Sequence, residues 1–115
     1  MKSQRDPKRK PTHPGEIIRE DVLPALGITQ GEFASYLGVS RLSVSELIHE
    51  KRSLTAEMAV RLSIAIGGSP ESWLHMQEAL DIWLVKQKFK AQPRLKAKPV
   101  PFVKELQQPN YSVLK

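Results

Sequence analysis

Between His13 and Val85 apolar side chains recur every three or four residues, in five runs separated by capping and turn residues. The first run opens at "THPGEII", with Thr12 or His13 as cap and Pro14 at the first helical position. Ile17, Ile18 and Val22 face a core, and Pro24 with Gly27 closes the segment. The second opens at "TQGE", where Thr29 and Glu32 have capping-box spacing, and carries Phe33, Ala34 and Leu37 on one face before Gly38 turns the chain. The fourth runs from Thr55 to about Ile66, with Met58, Leu62, Ala65 and Ile66 inward and "GG" at 67 and 68 as its stop. The fifth starts at Ser69, Pro70 and Glu71 and reaches about residue 90.

The third run, "GVSRLSVSELIHEKR" at 38–52, fits two periods at first sight. Leu42 and Val44 alternate with Arg41, Ser43 and Ser45 as in a half-buried strand, whereas Val44, Leu47 and Ile48 share one face of a helix. Ser40 as a cap and the continuation of the helical face for another turn decide for a helix to about His49. Its outward row is then Arg41, Leu42, Ser43, Ser45 and Glu46.

Helix five carries two stripes. Trp73, Met76, Leu80 and Trp83 form one, and Ile82, Val85 and Phe89 form another elsewhere on the same cylinder. Two apolar faces exceed what a small core buries, so the surplus, with Trp73, Leu80 and Trp83 as candidate surface, suggests a dimer seam or a docking site for the tail.

Composition changes the picture at the two ends. Residues 1–12 hold five basic and one acidic residue, a net +4, and residues 86–115 hold eight basic and one acidic, a net +7. The part between has five basic and ten acidic residues, a net −5. An acidic body with two basic arms differs from a uniformly basic nucleic-acid binder; the arms fit phosphates or an acidic partner, or serve only as solvated tails. Three segments follow: a basic disordered leader at 1–12, a helical domain at 13–90, and a basic proline-containing tail at 91–115 in which "PVPFV" has the character of an extended edge segment. The absence of cysteine excludes disulfides, thiolate metal sites and a cysteine nucleophile. His13, His49 and His75 are far apart, and Glu20 and Asp21 do not converge, so neither a metal site, a cofactor site nor an enzyme is expected. No signal peptide or membrane-spanning run is apparent, which makes a cytoplasmic location the default.

From Gln30 to Leu47 the spacing matches a helix-turn-helix: Ala34 allows close approach, Gly38 makes the turn, Val39 plugs the joint, and Val44 and Leu47 pin the second helix to the first. If that helix enters a major groove, Arg41 suits guanine, Leu42 a thymine methyl, Ser43 or Ser45 either donates or accepts, and Glu46 accepts from cytosine or repels phosphate. Thr29, Gln30 and Ser40, with the amides they cap, and Lys51 and Arg52 in the next loop are the expected phosphate contacts.

The stretch from "HPGE" at 13–16 through "LTAEMAVRL" at 54–62 to "SPESWL" at 69–74 resembles the HigA (VapI-like) antitoxins, within the XRE helix-turn-helix family. The resemblance covers about residues 13–84. It implies an all-α fold, a five-helix bundle of the lambda-repressor-like helix-turn-helix type, here with a basic N-terminal arm and a Pro/Lys-rich C-terminal tail. It also implies an antitoxin that binds double-stranded operator DNA as a homodimer, represses its own operon and neutralises a small basic RelE-like ribonuclease toxin. The family's usual "NGK" after the recognition helix is replaced here by "HEK", His49 to Lys51. Two other readings remain: a solitary or prophage-type regulator without a toxin, and a protein-interaction module whose helix-turn-helix is vestigial.

Overall fold

The computed structural model describes residues 9–101. The first eight residues of the basic leader, and the tail from Phe102 with the end of "PVPFV", lie outside that range. Five helices make up the described residues, with no strand among them. Helix α1 covers residues 14–26, α2 Gln30–Leu37, α3 Arg41–Ile48, α4 Ala56–Ile66 and α5 Pro70–Ala91. A single 3-10 turn, Pro93–Leu95, follows α5, and residues 91–101 are exposed.

Four starts follow local chemistry. Thr29, Ser40, Thr55 and Ser69 each accept, through the side-chain oxygen, a backbone N–H three residues on. At α1 the choice between Thr12 and His13 falls on His13, whose ring accepts the Gly15 N–H. Of the expected closure by Pro24 with Gly27, the Gly27 half holds and the Pro24 half does not. Proline has no N–H to donate to the preceding turn and its ring crowds that turn's carbonyl. The helix absorbs it by widening to a π-helical stretch over Ile18–Val22, where the Leu23 N–H donates to the Ile18 carbonyl. It then continues through Leu23–Leu26 and stops at Gly27, whose φ of 68° belongs to the left-handed region.

The core gathers one face from each helix: Ile18 of α1, Phe33, Ala34 and Leu37 of α2, Val44, Leu47 and Ile48 of α3, Met58, Ala59 and Leu62 of α4, and Trp73 of α5. Ile17, Val22, Val39, Ile66 and Met76 are half-buried against it. Ala65 departs from the expected inward face. It is exposed at the rim of an open apolar pocket with Leu26, Ile28 and Tyr36, because the α1–α2 connection does not close over the end of α4; Ala59 is buried in its place. Pro11 is buried too, so packing begins inside the segment expected to be leader. No helix among the described residues is long and apolar enough to cross a membrane.

Candidate nucleic-acid interface

Helices α2 and α3 meet across residues 38–40. At the start of α2, Thr29 Oγ1 accepts the Glu32 N–H at 3.1 Å and Glu32 Oε1 accepts the Thr29 N–H at 2.8 Å, a complete capping box. At its end Gly38 has a φ of 74°, and the Val39 N–H returns to the Ala34 carbonyl at 3.0 Å. A third clamp has no local signature. Arg61, on α4, donates Nη1 to the carbonyls of Leu37 (2.9 Å) and Gly38 (3.3 Å), while Glu57 holds Nη2 at 2.9 Å. A fixed cation thus meets the negative end of the α2 dipole. Along the chain it shows only as the i,i+4 spacing of Glu57 and Arg61, which is equally typical of a solvated helix face.

Helix α3 is held from behind by Val44, Leu47 and Ile48, each 1% exposed. On its outer side Arg41 and Leu42 are exposed, Leu42 to 66%, while Ser43, Ser45 and Glu46 are half-buried. Gln30, Arg41, Leu42 and Ser45 line one shallow depression where the start of α2 adjoins α3. The Ser40 hydroxyl donates to Ser43 Oγ at 2.9 Å and accepts the Ser43 N–H at 3.0 Å, so it is committed to capping. Four arginines lie between His13 and Val85, and three are occupied: Arg19 by Glu20 and Glu50, Arg52 by Glu46, Arg61 by Glu57. Among the described residues Arg41 alone of the four pairs with no carboxylate. The Glu46–Arg52 contact is 2.7 Å, joining an expected base reader to an expected phosphate contact. Lys51 is exposed.

The loop after α3 rests on α1. The Gly15 N–H donates to His13 Nδ1 at 2.8 Å, which leaves the proton on Nε2; Nε2 donates to the Arg52 carbonyl at 3.1 Å. Arg19 donates to the Ile48 carbonyl and reaches Glu50 Oε2 at 3.3 Å. Its guanidinium is raised above the ordinary value, first by the hydrogen bond to Glu20, against desolvation, and then by that to Glu50. Glu50 has a φ of 61°, the single positive φ outside glycine among the described residues. A side chain there costs about 1–2 kcal/mol of backbone strain, and a part-exposed ion pair returns about 0–1 kcal/mol. Glu50→Gly is therefore expected to stabilise the chain by up to about 1 kcal/mol in urea unfolding. A lower midpoint for the variant would show that the Arg19 contact outweighs the strain.

Helix α5 corrects the expected partner surface. Trp73 and Leu80 are 8% and 4% exposed, so both belong to the interior of the chain itself, and Trp83 is half-buried. The reason is rotational: Trp73, Met76, Leu80 and Trp83 occupy the side turned to α4 and α1, leaving Ile82 and Val85 on the opposite side. Gln77, missed because a polar residue interrupts that stripe, is 5% exposed and accepts the Leu54 N–H at 2.8 Å. It ties α5 to the loop before α4.

The comparisons with known proteins agree with this geometry. The helix-turn-helix family matches residues 18–74. The antitoxin HigA-1 of Vibrio cholerae is 37% identical over 90 residues, which are 78% of this chain and 85% of that protein. An addiction module antidote protein of a HigA family from Coxiella burnetii superposes with a TM-score of 0.71 at 30% identity, over 80% of this chain and 100% of the other. The Pseudomonas aeruginosa antitoxin HigA, in its structure with the higBA promoter, superposes with a TM-score of 0.70 at 29% identity, over 78% and 98%. A shared fold, a shared helix-turn-helix and relatives matched over most of their length together decide the family: this chain belongs to the HigA antitoxin group of the XRE-type helix-turn-helix proteins.

Proposed function

We propose that two copies of this chain bind operator DNA through α3, repress the operon that encodes them and neutralise a small basic RelE-like ribonuclease toxin. One observation carries the DNA reading: α3 is held from behind by α1 and α2 and turns outward a row of short polar side chains together with Arg41, which pairs with no carboxylate among the described residues. The fold it shares with a HigA antitoxin solved with promoter DNA supports the same orientation. In this reading Arg41, Leu42, Ser43 and Ser45 meet base edges, and Glu46 selects at the groove's margin. Thr29, Gln30, Ser40, Lys51 and Arg52 lie along the phosphates, where N–H groups at helix starts favour anions. The two α3 helices of a dimer then stand about 34 Å apart, or a multiple of that. A toxin partner rests on family membership rather than on any contact within this chain.

Titrating the full chain against the DNA upstream of its own reading frame, at several salt concentrations, tests the reading. Lys51→Ala is expected to weaken all sequences alike and to flatten the salt slope by about 0.9. Arg52→Ala is expected to do less, since Arg52 meets a phosphate only by loosening from Glu46. Loss confined to one sequence would remove both from the phosphate set, and wild-type protein that fails to shift its promoter at low salt would remove the operator reading. Co-purification with a basic protein from an adjacent reading frame supports the antitoxin role; the absence of such a frame favours a solitary regulator.

A further inference from the structure

The chain enters its body beside the loop that follows α3. Pro11 is buried and His13 is 7% exposed, so the backbone is packed from Pro11 onward. His13 Nε2 holds the carbonyl of Arg52, the residue after Lys51. Arg9 and Lys10, immediately outside, are exposed, and neither pairs with a carboxylate among the described residues. Lys10 lies three residues from His13, a span of at most about 11 Å. Arg9, Lys10 and Lys51 are thus brought to one corner of the molecule. The carboxylates of that corner are held, Glu46 by Arg52 and Glu50 by Arg19.

We infer that Arg9 and Lys10 bind DNA phosphates next to those met by Lys51, as a sequence-independent arm held to the body by Pro11 and His13. This contact rests on the operator reading and adds to it a part of the chain outside the helix-turn-helix. Electrostatics supplies the need. The part between His13 and Val85 carries a net −5, which repels a duplex that bears one charge per about 1.7 Å. Of its five basic residues, three are matched by carboxylates, which leaves Arg41 and Lys51. Arg9 and Lys10 double that number, at the edge where Lys51 already faces phosphate. The other basic arm has no such placement. It follows α5, whose last eleven residues run about 16 Å past Leu80, the last one buried. Phosphates carry no sequence information, so the arm acts alike on every duplex.

Titration of the full chain against its promoter, between about 50 and 200 mM salt, tests the assignment. Arg9→Ala combined with Lys10→Ala is expected to flatten the salt slope by about 1.8, twice the value for one phosphate contact. Over that salt range the wild type then loses roughly tenfold more affinity than the variant. Unrelated DNA is expected to show the same flattening. Lys96→Ala combined with Lys98→Ala removes equal charge from the other arm and is expected to leave the slope unchanged. Because the chain has no cysteine, Lys10→Cys and Lys51→Cys can each carry a tethered iron chelate. Their strand cuts are expected to fall within about five base pairs of each other, half a helical turn. Cuts farther apart, an unchanged slope for the Arg9 and Lys10 pair, a loss confined to one sequence, or equal flattening by both pairs would overturn the assignment and leave the operator reading intact. A wild type that binds no DNA at low salt removes the operator reading itself, and the arm's contact with it.

Discussion

Gly15→Ala is expected to destabilise the fold by about 2–3 kcal/mol, although alanine is the better helix former by about 1 kcal/mol. Gly15 sits in the first turn of α1, where its backbone lies against the end of α3. A methyl group there would stand 1.9 Å from the Leu47 carbonyl oxygen and 2.8 Å from its carbon. Both are backbone atoms of a helix whose inner side chains are fully packed, so neither yields as a flexible side chain would. The overlap therefore outweighs the helix propensity. Thermal unfolding should show a midpoint lowered by roughly 8–24 °C, at about 4–8 °C per kcal/mol for a domain of this size. The displaced segment includes the α3 end that Arg19 holds and the following loop that His13 holds, so DNA affinity should fall in variants that remain folded. A Gly15→Ala chain as stable as the wild type would mean that α1 does not seat on α3 as closely as the geometry requires.

Arg41→Ala should leave stability nearly unchanged and lower operator affinity by about 1–3 kcal/mol, roughly 5- to 150-fold. The two halves of that expectation have one origin. Arg19, Arg52 and Arg61 are each bound to a carboxylate, and their removal would disturb the protein itself. Arg41, at the first position of α3 and exposed, has a guanidinium that no carboxylate among the described residues holds, which suits a bidentate contact with guanine. Loss of discrimination should be confined to one base pair, which fluorescence anisotropy with singly substituted operators resolves. Equal affinity of variant and wild type would exclude Arg41 from base reading. An equal loss on every sequence would make it a phosphate contact instead.

Much of the candidate interface is legible before any coordinates. The capping hydroxyls of Thr29 and Ser40, the left-handed Gly38 and the inward Val44, Leu47 and Ile48 all act within one or two turns of their own position. Short-range hydrogen bonds and helical period are properties of a local stretch, so they can be taken from it directly. Two positions show the limit even within one helix. Pro24 carries the usual sign of a helix end, yet α1 passes through it because a π-helical stretch relieves the clash and the chain has core to reach on the far side. Ala65 has the right period to face inward, yet no element closes over it.

The chain on its own determines the five helices, their order, the helix-turn-helix and the outward row of α3, because each depends on residues at most a few positions apart. Tertiary structure decides which charges remain available and which apolar stripe remains open. Arg61 on the Leu37 carbonyl, Arg52 on Glu46, Gly15 against Leu47 and Trp73 inside rather than outside all depend on how helices cross in space. Those crossings are a joint outcome of packing every face at once, and no single segment contains them.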